Sequence, residues 1–180
     1  EALKASPSTV INSSTAKITI THLGARISSY ELNQFKVSVG SDQPLNLVTH
    51  QPGEPLPLGV YYGTFSDSHV QYRLEKTTGA VPQAQDATQF DISSGESQFV
   101  FSGTFANGAQ IRKTLVLSPN SYLFKVRVDM DPAPDAALPI WLEWATFVPQ
   151  TVAAERYNMY QFKLLTDQNK VNPILATAVS

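Results

Sequence analysis

The sequence contains no cysteine, which excludes a disulfide framework, a thiolate metal site and a cysteine nucleophile, and leaves stability to packing alone. Neither sign of charge prevails, since thirteen Lys and Arg oppose fifteen Asp and Glu for a formal net charge of -2. A balance of this kind lacks the basic footprint that phosphate backbones and anionic lipid surfaces require, so nucleic-acid binding is disfavoured. Long apolar runs are missing as well. The richest window, 136–148, is short and interrupted by Glu143, well below the roughly 20 apolar residues that span a bilayer, and the fragment is expected to be soluble. Neither a GxGxxG turn nor a phosphate-binding Gly-Lys-Ser loop occurs, so nucleotide chemistry has no support. No leader is visible either: the chain opens Glu1-Ala2-Leu3-Lys4, without a Met or a basic-then-apolar segment, and reads as a fragment excised from a larger protein.

What is present is material for a core. Apolar residues make up 42% of the 180 positions, and nine Phe and seven Tyr argue against a disordered chain. One domain over 1–180 is expected, with 1–15 as a flexible polar lead-in.

The dominant pattern is period two, in short runs separated by Gly, Pro, Asn, Asp and Ser, as in half-buried antiparallel strands. Ala16, Ile18 and Ile20 alternate with Lys17, Thr19 and Thr21, and Gly24 supplies a turn or bulge before a second strand over 25–32 and a further alternation at Phe35, Val37 and Val39. Between Gly40 and Gly59 lie four of the twelve prolines, which predicts an extended loop. Strands are expected at 60–65 and 72–74, then a polar stretch over 77–89 with little to offer a core, then strands at 89–92, 98–103 and 109–117. Asn107-Gly108 is the strongest hairpin signal. A second hairpin pairs 109–117 with 122–130, where Tyr122, Phe124, Val126 and Val128 alternate with Lys125, Arg127 and Asp129. The run 140–148 is apolar on both faces except for Glu143, which predicts a central strand between two layers. One helical turn at 151–155 and a strand through Tyr160, Phe162 and Leu164 follow, and the tail from 167 is weakly patterned. Ten to twelve short strands suggest an all-β sandwich of antiparallel sheets with few short helices.

Reactive chemistry is sparse. His22, His50 and His69 are the only histidines; none forms an i, i+4 pair, and all three read as surface or loop imidazoles. Asp129, Asp131 and Asp135 cluster after a strand but lack the Gly and Glu positions of a calcium loop. Ser93-Ser94-Gly95-Glu96-Ser97 is not a nucleophile elbow. Asn12-Ser13-Ser14 matches a glycosylation acceptor that matters only in a eukaryotic secretory setting. Arg112, Lys113, Lys125 and Arg127 are expected to form the solvated face of the second hairpin, with Asp129 as a possible cross-strand partner. Trp141 and Glu143 share one face of their strand while Trp144 points away; with Tyr61 and Tyr62 they are the candidate lining of a cleft, because sugar sites combine aromatic platforms with carboxylates. A core Trp141 beside a cleft-lining Glu143 is the simpler expectation. No catalytic residue, cofactor or metal ligand is identified.

Several segments together resemble one family. Residues 18–32, Ile18-Thr19-Ile20-Thr21-His22-Leu23-Gly24-Ala25-Arg26-Ile27-Ser28-Ser29-Tyr30-Glu31-Leu32, resemble the opening of the periplasmic domain of the bacterial YidC membrane protein insertase family, with its glycine turn followed by a strand ending in an apolar residue. Residues 109–117 and 118–128 are similar to that family's basic-Thr strand, short turn, and Tyr followed by alternating Val. Residues 157–164, with Tyr160-Gln161-Phe162-Lys163, show a third, weaker resemblance in the same order. The resemblance implies a β-supersandwich of the galactose mutarotase-like type, lying outside the cytoplasmic membrane between the first two transmembrane helices of a multi-pass inner-membrane protein. It further implies a non-catalytic role in insertion and folding of inner-membrane proteins, through contacts with Sec translocon components or nascent membrane proteins. The alternative is a carbohydrate-binding or mutarotase-like sandwich. The His-containing motif of the mutarotase relatives has no counterpart here, which disfavours an epimerase.

Overall fold

A computed structural model of the chain describes residues 6–51, 53–83, 86–131, 140–145, 162–165 and 171–174. The chain divides into two compact units, Glu1–Phe147 and Val148–Ser180. The first contains strands β1 (Ser8–Asn12), β2 (Ala16–Thr21), β3 (Arg26–Lys36), β4 (Pro44–Asn46), β5 (Gly59–Tyr62) and β6 (Phe65–Ser66), then a single 3-10 turn at Asp67–His69. It continues with β7 (Arg73–Thr78), β8 (Val81–Gln83), β9 (Asp86–Asp91), β10 (Ser97–Thr104), β11 (Gln110–Leu117), β12 (Phe124–Asp131) and β13 (Ile140–Glu143). In the second unit β14 (Phe162–Leu165) pairs antiparallel with β15 (Val171–Ile174).

The first unit is a β-sandwich. A six-stranded sheet in the order β4-β3-β2-β1-β9-β8 and a four-stranded sheet in the order β12-β11-β10-β7 contribute to one hydrophobic core, and a small sheet, β13-β5-β6, closes one side. Period-two alternation sets the inner faces. Ile18 and Ile20 of β2, Ile27 of β3, Phe99 and Phe101 of β10 and Ile111 and Leu115 of β11 are all buried. Phe90 of β9 meets Phe99 edge-on across the two sheets at 5.6 Å, the geometry that ring quadrupoles favour. Truncating either Phe99 or Phe101 to Ala would cost about 3–5 kcal/mol.

Both anticipated hairpins form. β10 and β11 pair from Ser97↔Leu117 to Thr104↔Gln110 around Asn107-Gly108, where Gly108 has φ 88 and the Asn107 side chain accepts from the Ala109 amide at 3.1 Å. β11 and β12 pair from Gln110↔Asp131 to Leu117↔Phe124.

Three expectations are overturned. The supposed lead-in carries β1, which pairs antiparallel with β2 and parallel with β9; its Thr9 is buried and its Ile11 belongs to the core. As expected, the polar stretch 77–89 adds little to the core, although it supplies the end of β7, all of β8 and the start of β9; main-chain pairing holds these strands where side chains have little apolar surface to bury. Phe35 is not in a separate alternation but lies within the eleven-residue β3. β13 is an edge strand, not a central one: among the described residues it pairs with β5 alone, and Ile140, Trp141, Leu142 and Trp144 are 41–62% exposed. An apolar run that is open on both faces and one that is covered on both read alike in sequence, because cover depends on neighbours distant in the chain. The helical turn expected at 151–155 lies outside the described residues.

Candidate functional site

Sequence placed Tyr61, Tyr62, Trp141 and Glu143 together, and the small sheet brings three of them onto one face. Trp141 lies opposite Tyr61 in the β13–β5 register, and Ile140 opposite Tyr62. Cross-strand partners share a face and neighbours along a strand do not, so Tyr62 turns into the core while Trp141, Tyr61 and Glu143 stay on the other side. Trp141 is 62% exposed, which corrects the expectation that it is a core residue. The Tyr61 hydroxyl donates to Glu143 across 3.4 Å. Trp144 turns toward the other face and lies 6.3 Å from the Phe124 ring.

Glu143 opens onto a buried ionic cluster that the sequence reading missed. Arg26, at the start of β3, reaches inward and donates through Nη1 to Glu143 Oε2 at 3.1 Å and to the Leu56 carbonyl at 3.0 Å. Its Nη2 donates to Asp67 Oδ1 at 3.1 Å. Asp67 sits in the 3-10 turn, with no exposed surface, and four donors converge on it. The Val60 amide and Arg26 serve Oδ1; the Tyr72 hydroxyl, at 3.0 Å, and the Lys113 ammonium serve Oδ2. Lys113 also donates to the carbonyls of Gly24 and Leu58, so its three N–H donors have three acceptors. Two cations and two carboxylates thereby neutralise one another where β3, β5, β11 and β13 meet the 3-10 turn.

The backbone makes room for this cluster at two glycines. Gly24 takes φ +73, and a Cβ there would stand 2.9 Å from Arg26 Nε. A Cβ on Gly59 would fall 2.5 Å from Glu143 Oε2 and 2.7 Å from Arg26 Nη2. Burial shapes the titration. Removal from water pulls the Lys113 ammonium down to about 8 in spite of Asp67. The Tyr72 hydroxyl is pushed well above its ordinary value, first by desolvation and then by the charge and hydrogen bond of Asp67.

Lys113 therefore does not belong to the solvated face of its hairpin. Its side chain is wholly buried, whereas those of Arg112, Lys125 and Arg127 are 49–77% exposed. Ile111, Lys113, Leu115 and Leu117 occupy alternate positions of β11 and face the core together; this parity is the signal in the sequence that reveals Lys113. Asp67 gives no comparable signal, because a turn has no period.

Chemically the cluster is spent on itself. Paired carboxylates across a cleft are what glycoside hydrolysis requires, yet Asp67 is sealed and Glu143 is held by Arg26. His22 meets the Thr9 hydroxyl at 2.9 Å and the edge of Phe101, with burial lowering its pKa. His69 pairs with Ser68. Asp129 is paired with Arg127 along β12 at 2.7 Å rather than across strands, and among the described residues no group of His, Asp or Glu could hold a metal ion.

An open, polar cavity of about 620 Å³ lies elsewhere, on the outer face of the four-stranded sheet. Arg73, Glu75, Ser102, Thr104, Gln110 and Arg112 contribute to its lining. None of Tyr61, Tyr62, Trp141 and Glu143 does. Among the described residues no helix is long and apolar enough to cross a membrane.

Comparison with known proteins gives one family. The sequence model of the YidC periplasmic domain matches residues 8–172, an interval that includes every strand of the sandwich. No curated protein matches the chain.

Proposed function

Because the chain belongs to the YidC periplasmic domain family, we propose that it is a non-catalytic module of a YidC-type insertase, assisting insertion and folding of inner-membrane proteins through protein contacts. The family match over 8–172 carries this reading, and membership implies a periplasmic location. The interior supports a scaffold role: the Asp67 carboxylate, the Lys113 ammonium, the Tyr72 hydroxyl and the Nη atoms of Arg26 are committed to one another, to Glu143 or to backbone groups, and of these residues Tyr72 alone is among the described lining of the cavity. What faces outward is suited to contact. β13 offers an edge with unpaired main-chain groups among the described residues and an apolar surface of Ile140, Trp141, Leu142 and Trp144, which is how a sheet takes up an extended chain. The partners in this reading are nascent membrane proteins, with Sec translocon components as the neighbours that deliver them.

The test is site-specific photo-crosslinking in membranes from the insertase that carries this domain, with the reactive side chain at Trp141, Leu142 or Arg73. Adducts with inserting membrane proteins or with translocon subunits are expected. Failure of every position to label a protein other than the insertase itself would refute the reading.

A further inference from the structure

We propose that Arg73 and Arg112 form a carboxylate cradle over Ser102, which engages acidic side chains of extended polypeptide. This rests on the protein-contact reading above and names the chemistry of one contact site. Ser102 of β10 lies opposite Arg73 of β7 on one side and Arg112 of β11 on the other. The three residues thus form a single row across three strands, on the outer face of the sheet. Neighbouring strands are about 4.8 Å apart, so the two arginine backbones stand roughly 10 Å from each other, a span that two long side chains can close around one carboxylate.

The present partners leave both guanidinium groups available. Arg73 contacts Ser102 through Nε at 3.4 Å, and Arg112 contacts Glu75 through Nε at 3.4 Å; among the described residues the Nη atoms of both are unbonded. The Arg112–Glu75 pair is 49% and 39% exposed, and exposed pairs of this kind are weak enough to exchange. Asp129, beyond Arg112, is already held by Arg127. Arg73, Arg112 and Glu75 give the cavity a formal excess of one positive charge. Guanidinium groups suit this task because their planar forks match carboxylates in two-point geometry.

Charge complementarity selects the occupant. Loops retained on the cytoplasmic side of membrane proteins carry the Lys and Arg excess, so the segments delivered to the outer side are comparatively poor in basic residues, and their carboxylates lack internal partners. A sugar is the weaker candidate, since among the described residues the cavity presents no aromatic platform: Tyr72 is 3% exposed, with its hydroxyl turned inward to Asp67. The hydroxyls and amides of Ser102, Thr104 and Gln110 instead offer hydrogen bonds to an extended main chain.

The experiment titrates the 180-residue chain with three dye-labelled unstructured peptides of equal length, bearing Asp and Glu, their Asn and Gln counterparts, or Lys, and follows anisotropy. The acidic peptide should bind at least fivefold more tightly than the amide peptide, and this preference should vanish in Arg73→Gln/Arg112→Gln and fall with added salt. Unchanged unfolding midpoints in the double variant confirm that folding is intact. Equal affinity for acidic and amide peptides, or a preference that survives the double substitution, overturns the cradle. So does sodium acetate that competes as strongly per carboxylate as the peptide, which would mark a simple anion site. These outcomes leave the crosslinking result untouched, so the cradle can fail while the contact role stands.

Discussion

The ammonium of Lys113 meets the carboxylate of Asp67 at a point where neither side chain has any exposed surface. A buried pair of this kind is costly to form and more costly to break, because removing one partner strands the other in low dielectric. Lys113→Met would leave the carbonyls of Gly24 and Leu58 without their donor and Asp67 with one cation in place of two. The expected loss is about 3–5 kcal/mol in urea unfolding. Arg127→Met, on the exposed side of the same hairpin, should stay within about 0.5 kcal/mol. Equal effects of the two substitutions would contradict the burial assigned to Lys113.

The same lysine gives the fold a signature above neutral pH. Its folded pKa of about 8 lies below the unfolded 10.5, so between these values the unfolded chain binds more protons, and stability rises with pH there. The gain is on the order of 3 kcal/mol, complete near pH 10.5 and absent below about 8. Neutral lysine still donates hydrogen bonds to the two carbonyls, so this gain does not conflict with the loss expected for Lys113→Met. Tyr72 acts oppositely above pH 10, where the unfolded chain ionises a phenol that the folded chain keeps protonated. Subtracting the Lys113→Met profile from that of the parent chain isolates the lysine contribution. A difference that is flat or falling from pH 8 to 10 would refute it.

How far the sequence exposes this structure depends on whether a residue lies in a periodic element. The alternations of β2, β10, β11 and β12 are visible, and so are the hairpins between them, because side-chain parity and Asn-Gly turn chemistry are local. Parity also contains Lys113, although its charge argues for the wrong face. Arg26 and Asp67 are out of reach: the register of β2 against β3 shifts between Thr19 and Ile20, and Asp67 sits in a three-residue turn. β1 is masked by polar neighbours and completed by a parallel partner about eighty residues away, β9. Of the proposed cleft residues, Tyr61, Trp141 and Glu143 do share a face, yet the partner that commits Glu143 is 117 positions distant.

Gly59 is required by space rather than by turn geometry. A methyl group there would overlap both the Glu143 carboxylate and the Arg26 guanidinium, neither of which can withdraw without leaving a buried partner. Gly59→Ala should destabilise by roughly 1–3 kcal/mol, as overpacking does. Gly108→Ala meets open space and bears only the cost of φ 88, about 1 kcal/mol. Thermal unfolding of the two variants ranks them, and a larger loss at Gly108 would disprove the crowding at Gly59.

Glu143 is the hinge between the sealed cluster and the exposed strand. Its side chain is 28% exposed, and Arg26 holds it while remaining bound to Asp67 and Leu56. Glu143→Gln keeps the shape and removes the charge, so Arg26 retains its inner partners and the core should lose only about 1 kcal/mol. The effect should instead concentrate on β13, whose amides lose hydrogen-exchange protection once the ion pair that ties the strand to β3 is weakened. Both tryptophans of the chain, Trp141 and Trp144, lie on or beside this strand, so emission and acrylamide quenching report on it directly. Asp67→Asn should show the reverse pattern, a global loss of about 3–5 kcal/mol with no selective change at β13. Protection lost evenly across all strands in Glu143→Gln would show that the carboxylate supports the whole sandwich, not its edge.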